Sequence, residues 1–208
     1  MKRYLFLILI ISIFFCLVSC RKNNLDNSSH YTEYESGVPS SFDAILKTKK
    51  LYITSIGQSI DMANFLYYLE YLKEEYNFEY VDDTFLSAGD VEDGAIVFVF
   101  VGCSIKAMQE SGVSIESEKA RAQEFINKRN SRKITVVAWH TGGTSRRGST
   151  SDELIALVAS NADLFIFSKT GNGDYFLSDT ATKNNVPLCE IESASSVRAP
   201  LIVMLGSK

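Results

Sequence analysis

Between Leu51 and Ile191 the chain alternates short apolar runs with stretches of helical periodicity. Leu51 to Ile56 reads as a strand, and Gly57-Gln58 as the turn that follows it. Met62, Phe65, Leu66, Leu69 and Leu72 recur at helical spacing and predict a helix capped by Ser59 and running to about Tyr76. Phe78 to Val81 predicts a second strand, and Asp82 to Gly94 an acidic, irregular connection. Ala95 to Val101 is apolar throughout, without alternation. Such a run suits a strand buried on both faces of a parallel sheet. Gly102-Cys103-Ser104 ends it, a short turn runs to Gly112, and Ser114 opens a helix reaching about Lys128. Ile134 to Trp139 and Leu164 to Phe167 are the next strands. Thr150-Ser151-Asp152-Glu153 has the form of a capping box and places a helix between them. A helix reaching about Asn184 and Asn185 then leads past Pro187 into a strand at Leu188 to Ile191. The tail from Ser195 to Leu205 predicts a helix covering the sheet, with Pro200 in its first turn.

Strands alternating with helices predict an α/β fold. The expected form is a three-layer sandwich around a mainly parallel five- or six-stranded sheet, flavodoxin-like or Rossmann-like.

The N-terminus carries a different pattern. Lys2 and Arg3 precede an apolar run, Leu5 to Val18, broken only by Ser12. A bilayer-spanning helix needs roughly 20 residues, so the run reads as a secretory signal. Leu17-Val18-Ser19-Cys20 resembles the lipobox of bacterial lipoproteins, which implies cleavage before Cys20 and lipidation of its thiol. The expected organisation is a signal peptide over 1–19, a lipidated Cys20 with a polar tether over 20–41, and one domain over 42–208. The expected setting is the cell envelope, with the domain lipid-anchored outside the cytoplasm. Arg21 following the lipid cysteine hints at the outer membrane in a Gram-negative host.

Charge narrows the partners. The full chain has 21 basic and 25 acidic residues. Loss of Lys2 and Arg3 leaves 19 basic residues and a net charge of −6 in the mature part. That balance argues against a nucleic-acid surface, while leaving room for a small anion held by local donors. Within the domain, Cys103 falls just past the end of one strand and Cys189 near the start of another, so both are expected as free thiols. No cysteine or histidine spacing suits a metal, and no cofactor motif is intact.

In such sheets ligands bind beyond the carboxyl ends of the strands. The turns expected there are Gly57-Gln58-Ser59, Gly102-Cys103-Ser104, His140-Thr141-Gly142-Gly143 running on through Arg146 and Arg147 to Gly148, and the loop with Gly171-Asn172. Glycine admits close backbone approach, helix N-termini favour anions, and paired arginines can clamp a carboxylate or phosphate. The candidate ligand-binding residues are therefore Gly57, Gln58, Ser59, Ser104, His140, Thr141, Gly142, Gly143, Arg146, Arg147, Gly171 and Asn172. Gly143 to Thr150 approaches the phosphate-binding loop of nucleotide hydrolases, but Ser149 stands where that loop needs lysine. Gly171-Asn172-Gly173 opens like a dinucleotide fingerprint, but Phe176 replaces its third glycine.

These segments, in this order, resemble a family of exported bacterial proteins, the domain-of-unknown-function family six-three-zero-five. The resemblance is carried by Ile53 to Ser59, by Val101 to Ser104 with Gly112, by His140 to Gly143 with Arg146 to Gly148, and by Gly171-Asn172. It implies a secreted α/β domain and no particular activity. The family generally has a small residue where Cys103 stands, a departure that counts against a nucleophilic thiol here. The leading functional reading is a membrane-tethered domain binding a small anionic or polar ligand at the strand ends. The alternatives are an envelope protein-interaction domain without such a site, and a hydrolase or transferase using His140; no catalytic residue is assigned.

Overall fold

A computed structural model describes residues 37–206. The expected signal segment, Cys20 and most of the tether lie outside the described residues. Val38 lies against the core, and Phe42 is buried in a 3-10 turn, Ser40–Phe42.

Six strands form one sheet: β1 (Leu51–Ile56), β2 (Tyr80–Asp82), β3 (Ile96–Val101), β4 (Thr135–His140), β5 (Leu164–Ser168) and β6 (Leu188–Ile191). Their order is β2-β1-β3-β4-β5-β6, with every pairing parallel. This is the doubly wound α/β fold expected from the sequence, in its flavodoxin-like order. The direction of winding reverses between β1 and β3, which makes their upper ends the topological switch point.

Side-chain alternation divides the strands between two cores. Phe98, Phe100, Trp139 and Ile166 meet α1 (Asp61–Tyr76) through Met62, Phe65 and Leu69, and α6 (Arg198–Leu205) through Leu201 and Met204. Phe65, Phe98, Phe100 and Trp139 pack as an aromatic cluster with ring centroids 4.7–6.0 Å apart. Val97, Val99, Ala138 and Phe165 face the other side. There they meet α3 (Ile115–Asn130), α4 (Ser149–Ala159) and α5 (Phe176–Lys183). Burial on both faces explains why β1, β3 and β5 show no polar alternation.

Local details depart from the pattern-based reading. The segment expected as a short turn before Gly112 is a helix, α2 (Ile105–Ser111), capped by Ser104 and ended by Gly112 at φ +69°. Its seven residues are too few for periodicity to declare. The second strand lies at Tyr80–Asp82, slightly later than predicted. The capping box falls at Ser114–Ser117 on α3. At α4 the N-cap position is Gly148, which has no side chain to offer, and the Thr150–Glu153 pair does not act as a box. Pro200 does sit in the first turn of α6.

Candidate functional site

The four turns picked out in the sequence do gather at one rim, since all six strands run the same way. Their glycines serve chiefly to let the turns touch one another. A Cβ on Gly57 would lie 2.1 Å from the Gly102 carbonyl oxygen, and φ there is +79°. A Cβ on Gly171 would lie 2.5 Å from the Gly142 oxygen. A Cβ on Gly142 would strike the stem of Arg146 at 2.5 Å. Close approach is needed, as the residue type implied, but the approaching group is this chain's own backbone.

At the switch point two carboxylates take up the available N–H groups. Asp61, buried at the start of α1, accepts from the backbone N–H groups of Thr141 (3.0 Å) and Gly142 (2.7 Å). Glu118, buried on α3, accepts the Gly57 N–H at 2.5 Å and is paired with Arg121 at 2.8 Å. Arg121 in turn donates to the Ser55 carbonyl, to Thr54 Oγ1 at 3.2 Å and to the Leu86 carbonyl at 3.3 Å. A buried ion pair is sustained only when its remaining donors and acceptors are matched, and here they are. Sequence reasoning missed Asp61, Glu118 and Arg121. A Glu–Arg pair three residues apart on a polar helix looks like any solvated pair until the strand ends are placed beneath it.

Several predicted residues turn out to hold the rim together. Ser59 Oγ accepts the Asp61 N–H at 3.4 Å, and Ser104 Oγ accepts the Ala107 N–H at 3.4 Å. Asn172 Oδ1 accepts from Leu177 and Ser178 at the start of α5 (3.0 and 3.2 Å). Gln58 is buried in a left-handed conformation, φ +57°. Gly143 opens the 3-10 turn Thr144–Arg146.

The adjacent arginines differ sharply. Arg147 donates to Asp152 (2.5 and 3.2 Å), to Asp174 (3.2 Å) and to the Gly171 carbonyl (2.6 Å), and lies over the Phe176 ring at 4.4 Å. Its fork is filled by this chain, so Arg146–Arg147 is not a free pair. Asp174 is held below the usual carboxylate range despite some desolvation, chiefly by its Arg147 hydrogen bonds. Arg146 is exposed, and its guanidinium meets no acceptor among the described residues.

Beside Arg146 the rim opens. A cleft of about 240 Å³ is walled by Cys103, Ile105, Ser145 to Gly148 and Ser149 to Ser151. Part of its lining is the N-terminus of α4, whose first-turn N–H groups (Ser149, Thr150, Ser151) meet no side-chain acceptor among the described residues. Ser151 Oγ accepts from the Cys103 N–H (3.2 Å) and donates to the Arg146 carbonyl (2.8 Å), which fixes the cleft wall to the end of β3. A smaller cavity of about 10 Å³, room for roughly one water, shares Cys103 and Arg146 and is also lined by Ser59, Ser104 and His140. Burial raises the Cys103 thiol above its ordinary value, and the Glu118 charge adds to this, so it is held protonated instead of activated.

Fold and rim together define a flavodoxin-like α/β domain whose switch point is closed by its own carboxylates and whose open cleft lies between the loops after β3 and β4. The family model described as "Domain of unknown function (DUF6305)" matches residues 48–205, and the chain belongs to that family. No curated protein matches the chain.

Proposed function

We propose that this protein is a lipid-anchored envelope domain that binds a small anionic ligand at the α4 N-terminus. The observation that carries the reading is that uncapped first-turn N–H groups and a guanidinium unmatched among the described residues, Arg146, line one 240 Å³ cleft. The N–H groups and the helix dipole favour negative charge, and an arginine beside them adds a mobile, always-charged donor. The site is a binding site in this reading, because the thiol that lines it, Cys103, is held protonated. The anchor rests on the Leu17-Val18-Ser19-Cys20 pattern.

Two experiments test the proposal. Thermal shift with phosphate, sulfate and small carboxylates should raise the Tm of the wild type and leave Arg146→Ala unmoved. Equal responses in both proteins, or none in either, would overturn the site. Labelling cells with a radioactive fatty acid should mark the wild type and not Cys20→Ser; label retained in Cys20→Ser would overturn the anchor.

A further inference from the structure

His140 ends β4 with no exposed surface, and its Nδ1 lies 2.9 Å from the Val101 carbonyl oxygen. A carbonyl oxygen only accepts, so Nδ1 carries the proton. Burial disfavours the charged ring and lowers its pKa, so the imidazole is neutral near pH 7. Nε2 is then a bare lone pair, and it meets no partner among the described residues. The other buried side-chain atoms without partners among the described residues, Gln58 Nε2 and Trp139 Nε1, are donors and do not belong to residues lining this cavity.

His140 is one of the residues lining the 10 Å³ cavity, which shares Cys103 and Arg146 with the anion cleft. The lining of the two cavities combines donors, from the α4 first turn and Arg146, with His140, whose Nε2 is a buried acceptor without a partner among the described residues. Building on the anion-binding reading, we infer that the site selects oxyanions that carry a proton, such as hydrogen phosphate or a phosphate monoester in its protonated form, over fully deprotonated ones. The unprotonated oxygens face the α4 N–H groups and Arg146. The protonated oxygen enters the small cavity and donates to His140 Nε2. A ligand without that proton would set an oxygen lone pair against the nitrogen lone pair, leaving a buried acceptor unmatched.

Inorganic phosphate and sulfate separate the two possibilities cleanly. They share size and tetrahedral shape, but near neutral pH phosphate keeps at least one proton and sulfate has none. Calorimetric titration of the full chain at matched ionic strength should show phosphate binding about tenfold or more tighter than sulfate, the scale set by one unmatched buried acceptor. In His140→Phe the two anions should bind alike. Should that variant fail to fold, long-range ¹⁵N NMR of the wild type gives a second readout. His140 Nε2 should appear unprotonated, and its signal should move with phosphate and not with sulfate. Equal, Arg146-dependent binding of both anions overturns the selectivity and leaves the anion site standing. Binding of neither removes both. A protonated Nε2 in the free protein overturns the selectivity alone.

Discussion

The rim of this sheet has two halves built from the same materials, and only one is open. At the switch point, N–H groups after β1 and β4 meet Glu118 and Asp61. Further along the same loop after β4, the α4 first turn is uncapped and Arg146 is unmatched among the described residues. The contrast repeats between neighbours: Arg147 has two carboxylates and a carbonyl in reach, while Arg146 has none among the described residues. Glycines, helix N-termini and arginines make a site only where the chain does not supply its own counterpart. The position of acidic residues elsewhere in the sequence therefore decides which half is left open.

The largest break of this comparison is Glu118→Ala. It leaves the Arg121 guanidinium and the Gly57 N–H buried without their acceptor, and should destabilise by about 3–5 kcal/mol, measured by urea denaturation. Glu118→Gln keeps one acceptor oxygen and should cost less. Asp61→Ala comes next. It removes a charged acceptor from two backbone donors, for a loss of about 2–3 kcal/mol. It also exposes the Thr141 and Gly142 N–H pair, so added phosphate should raise the Tm of Asp61→Ala more than that of the wild type. An unchanged phosphate response in a folded Asp61→Ala would mean that the closed half is not a plugged anion site. Arg147→Ala should cost about 2 kcal/mol, since it strips Asp152 and the Gly171 carbonyl of a largely buried partner.

The strands were legible because burial on both faces leaves apolar runs such as Ile96–Val101 with no competing pattern. The rim was legible as a place, because parallel winding sends every β-to-α turn to one edge. Its occupants were not. Gly57, Gly142 and Gly171 signalled close approach correctly, but sequence carries no mark of whether a ligand or another loop approaches. Asp61 reads as an acid in the first turn of a helix, and Glu118 as one of several charges on a polar one. Their distant partners, 80 and 61 residues away, exist only in the fold. α2 was hidden for a simpler reason: Ile105, which opens it, is exposed, and only Met108 is buried.

His140 offers a probe that leaves the sequence intact. Its pKa is lowered by burial, against the opposing effects of the Val101 hydrogen bond and of Asp61 and Asp152, with Arg147 adding to the lowering. In the unfolded chain the ring titrates near its ordinary value of about 6.5. Below that pH the unfolded state takes up a proton that the folded state refuses, so stability falls as pH drops, down to the lower folded pKa. Following the His140 ring by NMR while measuring urea stability should show the loss beginning near pH 6.5, before the ring itself titrates. A ring that titrates at or above its ordinary value would contradict the neutral, acceptor-bearing imidazole.

The smallest expected effect on stability is also the most discriminating. Arg146→Ala removes an exposed guanidinium with no partner among the described residues, and alanine keeps the Cβ that packs beside Gly142. Surface changes of this kind fall within about 0.5 kcal/mol. The Ser151 bond to the Arg146 carbonyl is a backbone contact and survives the change. Unfolding midpoints in urea should therefore coincide for Arg146→Ala and wild type, while the phosphate response vanishes only in the variant. A loss of stability as large as that of Arg147→Ala would mean that Arg146 also belongs to the closed framework. The difference between the two arginines, and with it the distinction between the halves of the rim, would then disappear.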